Sequence, residues 1–472
     1  MIGVRGMGSK GARRLGLAAA LLCAAGGAAE AAAAPAKPSA RHLEWADCEI
    51  GVIIHQDVQV YDRSYTSHES TNLPPASVFN PSDLDTDQWI ETAAAAGAKY
   101  AVLVAKHCSG FSLWPTKAHD YSVASSPWKG GKGDVVADFM ASCRKYGIRP
   151  GIYASTGRNS YLGLNTAGKR LPDDQWRRYV DVVKTQLREL WTNYGELFEI
   201  WFDGGNLPAD RGGREIEDLL AELQPNALVF QGNPERFNCL RWTGNERAHA
   251  PEVCWSRTNR ITDSDGVSEA FGERYAGRRE GRFWCPGEAD MPNRDQNYAL
   301  QGGWFWRPGD DVHVLPPERL LDGYMTSVGR NCNMLVGMVI DDRGRVPDPD
   351  VAAFRRFGEL VRELYAHPAG RASGAGEYVA SHRCRRFEIA VPGGMKPSLA
   401  SIQEDLADGE SIRCFIISGH DGTAWHTVAS GLSVGHRRLV RFRPGPYSRF
   451  RLDVWGINGN PDPVVRDFSL YE

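Results

Sequence analysis

The stretch LFEIWFD at residues 197–203, with Gly204-Gly205 directly behind it, decides the fold. It is a continuous apolar run that ends on a carboxylate. A long helical stretch over 173–194 precedes it, starting after Pro172 and stopping at Gly195. A helix feeding an apolar strand is half of a repeating unit, and the unit recurs on both sides. Upstream, 50–55 (IGVIIH), 100–105 (YAVLVA) and 148–153 (IRPGIY) read as strands. Helix-like stretches over 87–96 and 134–146 follow the first two. Asp85 or Thr86 can cap the first of these, and Gly147 can end the second. Downstream, a helix over 214–223 leads to a fifth strand over 227–231 (ALVFQ). Apolar strands alternating with helices form a parallel sheet covered by helices. Over residues 42–367 the spacing predicts an α/β fold, a (β/α)8-like barrel, with 282–284 and 334–339 as candidates for later strands. A doubly wound sheet is the alternative, but no Gly-rich phosphate loop follows the first strand.

Beyond Pro368 the pattern changes. Short strand-like runs at 386–391, 398–404, 411–418, 425–429, 437–442 and 450–454 alternate with turns rich in Gly, Asp and Pro. Residues 368–472 therefore read as an all-β sandwich. One large domain followed by a smaller one suits a chain of 472 residues.

Composition narrows the class. A net charge of −3 gives no basis for a nucleic-acid or anionic-membrane partner. Fourteen Trp supply rings suited to the apolar faces of sugars, although most Trp in any protein fill core. At the N-terminus, Arg5, Lys10, Arg13 and Arg14 precede an apolar run over 15–28, and small residues continue to Ala34. Residues 1–34 thus read as a secretory signal peptide, too short to remain as a membrane span, and 35–41 as a linker. The expected destination is secreted or periplasmic, with no membrane association after cleavage. Nine cysteines remain beyond the signal, scattered and without C-x-x-C spacing, which argues against a zinc site. Cys239 with Cys254 is a candidate bridge; buried free thiols are the other reading. No metal or cofactor is expected.

Chemistry gathers at the strand ends. The runs finish at His55, Lys106-His107, Tyr153, Asp203 and Gln231. In a barrel these ends share one rim, so they outline a single polar pocket. Asp203 is distinctive. Gly204 and Gly205 allow a sharp turn beside its carboxylate, and Trp201 and Phe202 can shield it from water. Glycoside hydrolysis uses two carboxyl groups from different segments. Glu246, past the fifth strand, and Glu288, behind the candidate strand 282–284, are equal contenders for the partner.

The segments around these residues resemble those of the α-L-fucosidases, glycoside hydrolase family 29, along most of the chain. KHCSGFSLWP at 106–115, followed by DYSV at 120–123, is similar to the family's K-H-H-D-G-F-x-L-W-P and D-Y-S-V segments. EIWFDG at 199–204 resembles the segment bearing the family nucleophile. RWTGNE at 241–246 resembles the R-W-x-G-N-E motif of the branch-linkage-specific subgroup, whose Glu is the acid/base. Gly303-Trp304-Phe305 and SVGRN at 327–331 match further family segments. The resemblance implies release of terminal α-L-fucose from a fucosylated glycan, with Asp203 as nucleophile and Glu246 as acid/base. It implies sugar contacts from His55, His107 and Tyr153, and apolar walls from Trp114, Trp201 and Trp304. Glu288 becomes a substrate-binding candidate. One departure stands out: Cys108 and Ser109 occupy the places of the family's second His and Asp. A thiol is a weak donor, so a hydroxyl contact has to come from elsewhere, with Ser109 or His68 as candidates. A related L-sugar or a modified fucose is the alternative substrate, and a non-catalytic glycan-binding protein the alternative class.

Overall fold

The computed structural model describes residues 36–472 apart from 63, 66–71, 165–170, 260–274 and 458–461. The signal peptide read at 1–34 and His68 lie outside the described residues. Eight parallel strands close into a barrel: β1 (Ile50–His55), β2 (Tyr100–Lys106), β3 (Arg149–Ala154), β4 (Glu199–Trp201), β5 (Leu228–Phe230), β6 (Asn238–Trp242), β7 (Gly287–Pro292) and β8 (Cys332–Val339). β8 pairs back onto β1 with Ile53 opposite Gly337 and His55 opposite Val339, which closes the ring.

Local signals place the helices between the strands. Asp85 caps the helix Thr86–Ala95 through the Gln88 N–H, and Asp134 caps Val135–Tyr146 through the Ala137 N–H. Gly147 ends the second in the left-handed conformation, φ 68°. The long helix Asp173–Thr192 turns Tyr179, Val183, Leu187 and Leu190 to the barrel and exposes much of its other face. Outward strand residues such as Val52, Ala101 and Ile200 join this layer. Inward residues such as Ile53, Tyr100, Val102, Tyr153, Trp201, Phe230, Leu240 and Leu335 fill the barrel itself.

The structure corrects the later part of the sequence reading. Asn238–Trp242 is a barrel strand that the apolar-run criterion passed over, because Asn238 and Arg241 interrupt it. Glu246 therefore follows the sixth strand, not the fifth. Phe283–Trp284 lies outside the barrel, in a small antiparallel ribbon with Arg257–Thr258. The seventh strand is Gly287–Pro292, whose sequence GEADMP carries two carboxyls into the interior. Neither carboxyl marks a strand by hydrophobicity. Cys239 and Cys254 are both free and buried, so the suggested bridge between them is absent.

The C-terminal region forms a four-stranded and a five-stranded antiparallel sheet. Side chains such as Ile402, Phe415, Leu452 and Phe468 form its core. Pro368–Gly374, Glu377–Val379 and Val465–Tyr471 add to the strands read from sequence.

The loop behind β7 is pinned at its base. Asn293 and Arg294 both donate to Asp350 on the helix Asp348–Glu363, at 2.7 Å and 2.5 Å. Arg294 and Asp350 have fully buried side chains. Removing Asp350 leaves the buried Arg294 guanidinium to the half-exposed Asp311 at 3.1 Å and strands its other donors. Asp350→Ala should therefore cost about 3–5 kcal/mol in urea unfolding, whereas Arg356→Ala on the solvent face of the same helix should leave the melt unchanged.

Candidate active site

Side chains alternate along a strand, so an inward residue near the end of a strand predicts an inward residue two positions on. Ile53 points into the barrel, and His55 follows it at the rim. Trp201 points in, and Asp203 continues the alternation just past β4. Beyond Asp203, Gly204 and Gly205 take φ of 73° and 87°, the left-handed region that glycine tolerates. The turn is held by the Gly204 N–H, which donates to Gln231 Oε1 at 2.8 Å.

Asp203 is partly exposed, and its Oδ2 accepts a hydrogen bond from the Tyr153 hydroxyl at 3.0 Å. Tyr153 is 2% exposed and stacks on Trp201 on one side and His107 on the other, with centroids 5.3 Å and 5.9 Å away. His107 and His55 both pack against Phe305, at 5.0 Å and 5.2 Å. Trp304 lies 5.0 Å from His55, and its Nε1 donates to Glu246 Oε2 at 3.1 Å. A continuous line of contacts thus runs from Glu246 through Trp304, His55, His107 and Tyr153 to Asp203. Burial, then the neighbouring His107, holds His55 down at about 3, and burial lowers His107 as well. Both imidazoles are neutral near pH 7, each with one donor and one acceptor nitrogen. His107 Nδ1 is buried without a hydrogen-bond partner among the described residues.

Two of the residues read from sequence lie elsewhere. Trp114 is 1% exposed in the layer between barrel and helices, and its Nε1 donates to Glu189 Oε2 on the long helix at 2.8 Å. It forms no wall beside Asp203. Glu288 is fully buried inside the barrel rather than on the rim. It accepts from the Tyr100 hydroxyl at 2.6 Å and from Trp201 Nε1 at 3.0 Å. Its neighbour Glu199 is equally buried. Burial and the facing Glu288 push the Glu199 carboxyl well above the usual range. Two contacting carboxyls in a dry interior cannot both ionise. The donors converge on Glu288, whereas neither oxygen of Glu199 has a hydrogen-bond partner among the described residues, so burial keeps Glu199 neutral.

Cys108 is buried, and its sulfur is 3.9 Å from His107 Nε2. Burial, then the Asp203 charge, pushes its thiol up to about 11. Ser109 does not supply the contact that the thiol lacks. It is fully buried, and its hydroxyl donates to Asp57 Oδ1 at 2.8 Å. His107, Cys108 and Asp203 bring three donor atoms within 4.8 Å of one another, a grouping that could hold a soft cation. Sequence spacing gave no sign of it, because Asp203 arrives from another strand. Ligation would first have to remove the Cys108 proton against burial.

Sequence reading also missed Gln296, whose Nε2 donates to the Glu246 carbonyl at 2.7 Å and faces its Oε2 at 3.4 Å. A lone Gln in a polar loop carries no signal of that role. Asp290 was missed for the same reason as its strand. It accepts from Trp242 Nε1 at 2.7 Å, and burial pushes its carboxyl well up.

The chain matches the family model described as Alpha-L-fucosidase over residues 34–363. Alpha-L-fucosidase 1 of Arabidopsis thaliana is 28% identical, covering 92% of this chain and 87% of its own length. A crystal structure from Bacteroides thetaiotaomicron VPI-5482 that carries the alpha-L-fucosidase designation superposes with a TM-score of 0.83 at 32% identity, over 93% of this chain and 99% of that one. A Ruminococcus gnavus fucosidase solved in complex with fucose superposes with a TM-score of 0.79 over 95% and 97% of the two chains. At 20% identity that last likeness is one of fold.

The two buried carboxyls give opposite expectations on mutation. Glu199→Gln replaces a group that is already neutral and should change unfolding free energy by less than about 1 kcal/mol. Glu288→Ala strands the Tyr100 and Trp201 donors and should cost about 3 kcal/mol or more. Denaturant unfolding of the two variants checks the assignment of the proton.

Proposed function

The chain belongs to the α-L-fucosidase family, and on that premise we propose that it is an exported, retaining hydrolase of terminal α-L-fucose. Asp203 acts as nucleophile and Glu246 as acid/base. The observation that carries this reading is the line of contacts joining the two carboxylates across one rim, with Tyr153 on Asp203 and Trp304 on Glu246. In the first step Asp203 Oδ attacks the anomeric carbon while Glu246 gives its proton to the leaving oxygen. The glycosyl–Asp203 ester then yields to a water deprotonated by Glu246. Glu246 must be protonated and Asp203 ionised at the start. The Tyr153 hydroxyl orients the carboxylate through Oδ2, so that Oδ1 bonds to carbon. Trp304 and Gln296 keep the Glu246 side chain facing the pocket. Neutral His55 and His107 pair with sugar hydroxyls, and Trp304 with Phe305 offers an apolar surface. This double displacement calls for neither metal nor cofactor.

The RWTGNE segment at 241–246 supports placing the chain in the branch-linkage-specific subgroup. The basic, apolar and small-residue order of residues 1–34 supports export. A second reading, hydrolysis of a related L-sugar or a modified fucose, is favoured by one observation. At the position of the family's second His the strongest group is a buried, protonated thiol, and Ser109 is committed to Asp57.

Asp203→Gly should lower kcat on an aryl α-L-fucoside by at least about 10³-fold. With azide present, Glu246→Ala should accumulate a fucosyl azide whose anomeric configuration is retained. Undiminished turnover by Asp203→Gly would sink the assignment. The substrate question has its own test. Cys108→Ala should keep kcat/KM on the plain aryl fucoside within about 3-fold, because a thiol contributes little hydrogen bonding. His107→Ala should lose roughly 10–100-fold, the equivalent of about 1.5–3 kcal/mol. A much larger loss from Cys108→Ala would mean that the sulfur itself reads the sugar.

A further inference from the structure

A second cluster of reactive groups lies at the end of the barrel opposite the rim, where β8 begins. Cys254 and Cys332 are 0% and 5% exposed, and their sulfurs are 3.4 Å apart. Arg241 on β6 donates Nη2 to the Cys254 sulfur at 3.0 Å and Nη1 to the Cys285 carbonyl at 2.7 Å. The Cys332 thiol donates toward Cys254 and, with the guanidinium, holds Cys254 down at about 7 against burial and the charge of Glu410. The same contact pushes Cys332 well up. The fold thus holds the two sulfurs in contact, with the Arg241 guanidinium beside them.

The surroundings leave room for both sulfurs. Ala250 and Ala289 complete the cluster. Gly287 lies directly opposite, and a Cβ there would come within 2.7 Å of the Cys332 sulfur. The segment that carries Cys254 is already laid along the barrel. The Ala248 N–H donates to the Asp290 carbonyl at 2.8 Å, and the Ala250 N–H to the Thr326 carbonyl at 2.9 Å. Asn331, the residue before Cys332, donates to the Cys254 carbonyl at 3.2 Å.

We propose that Cys254 and Cys332 are joined by a disulfide in the mature exported enzyme, stapling the segment downstream of Glu246 to the start of β8. A bonded pair sits at about 2.0 Å, so the sulfurs have to close by roughly 1.4 Å. The oxidant is a small-molecule or catalyst disulfide of the export compartment. The Cys254 thiolate attacks one of its sulfurs and releases one thiolate. Cys332 then attacks the Cys254 sulfur of the mixed disulfide, gives up its proton and releases the second thiol. The protein loses two electrons and the external disulfide becomes two thiols. Both sulfurs are buried in the folded chain, so the exchange takes place while the segment is still open during folding. The inference rests on export but not on the identity of the sugar.

The test reads the linkage directly and needs no activity. Full-length protein is produced by secretion, or refolded in a glutathione redox buffer. It is then unfolded with iodoacetamide and no reductant, digested and weighed. The expected product is the Cys254 and Cys332 peptides joined, two hydrogens lighter than their sum and lost on reduction. The wild-type melt should fall on the order of 5 °C after reduction. The same reduction should move the melt of a Cys254→Ser/Cys332→Ser variant less than that of the wild type, because Cys414 is also disulfide-bonded. Alkyl label on both cysteines after glutathione treatment overturns the proposal, as does a bridge from either one to a third cysteine.

Discussion

The site depends on a carboxylate that never meets solvent. Glu288 stands inside the barrel on β7 and gathers the Tyr100 hydroxyl and the Trp201 indole N–H. With its oxygens engaged, Trp201 can lie flat between Phe230 and Tyr153, its centroid 4.0 Å from the first. That stack sets the plane of Tyr153, whose hydroxyl reaches Asp203. A buried charge costs several kcal/mol unless its partners are in place. The partners of Glu288 hold Trp201, and Trp201 holds Tyr153, so Asp203 is positioned through two aromatic rings.

The side of the rim that carries Glu246 is built differently. Glu246 is exposed and sits on a loop, held by Trp304 and Gln296, which come from the segment behind β7. The base of that segment is locked by Arg294 and Asn293 on Asp350. Its return is closed by backbone bonds from Leu315 to Asn293 and from Asp295 to His313. One carboxylate is thus fixed by the barrel interior, and the other by a pinned loop over the rim. The acid/base role proposed for Glu246 needs access to water, and its exposed loop position provides it.

The Cys108-Ser109 pair shows how a sequence difference is absorbed. Ser109 is short enough to stay in the interior and bond Asp57, whose carboxyl burial has pushed up. Cys108 keeps its proton and contributes volume more than hydrogen bonding. Both substitutions leave Tyr153, His107 and Asp203 in contact. On the proposed mechanism, the difference falls beside the sugar and leaves the Tyr153–Asp203 contact unchanged.

Much of this was legible in the chain because it rests on local patterns. Continuous apolar runs marked β1 to β5, Asp85, Asp134 and Gly147 marked helix ends, and the D-G-G turn marked Asp203. Polar residues straight after those runs identified His55, His107 and Tyr153, since alternation along a strand is a local rule. The tertiary structure decided what depends on partners far away in sequence. β6 and β7 carry Arg241 outward and Glu288 and Asp290 inward, and such strands read as loops until the fold supplies Cys254, Tyr100, Trp201 and Trp242 to pair with them. Trp114 and Glu288 looked like sugar contacts because hydrophobicity and charge say nothing about which side of a strand or loop faces the pocket. Asp203 was visible from its own turn. What holds it in place is a set of contacts spread from residue 100 to residue 288, and only closure of the barrel brings them together.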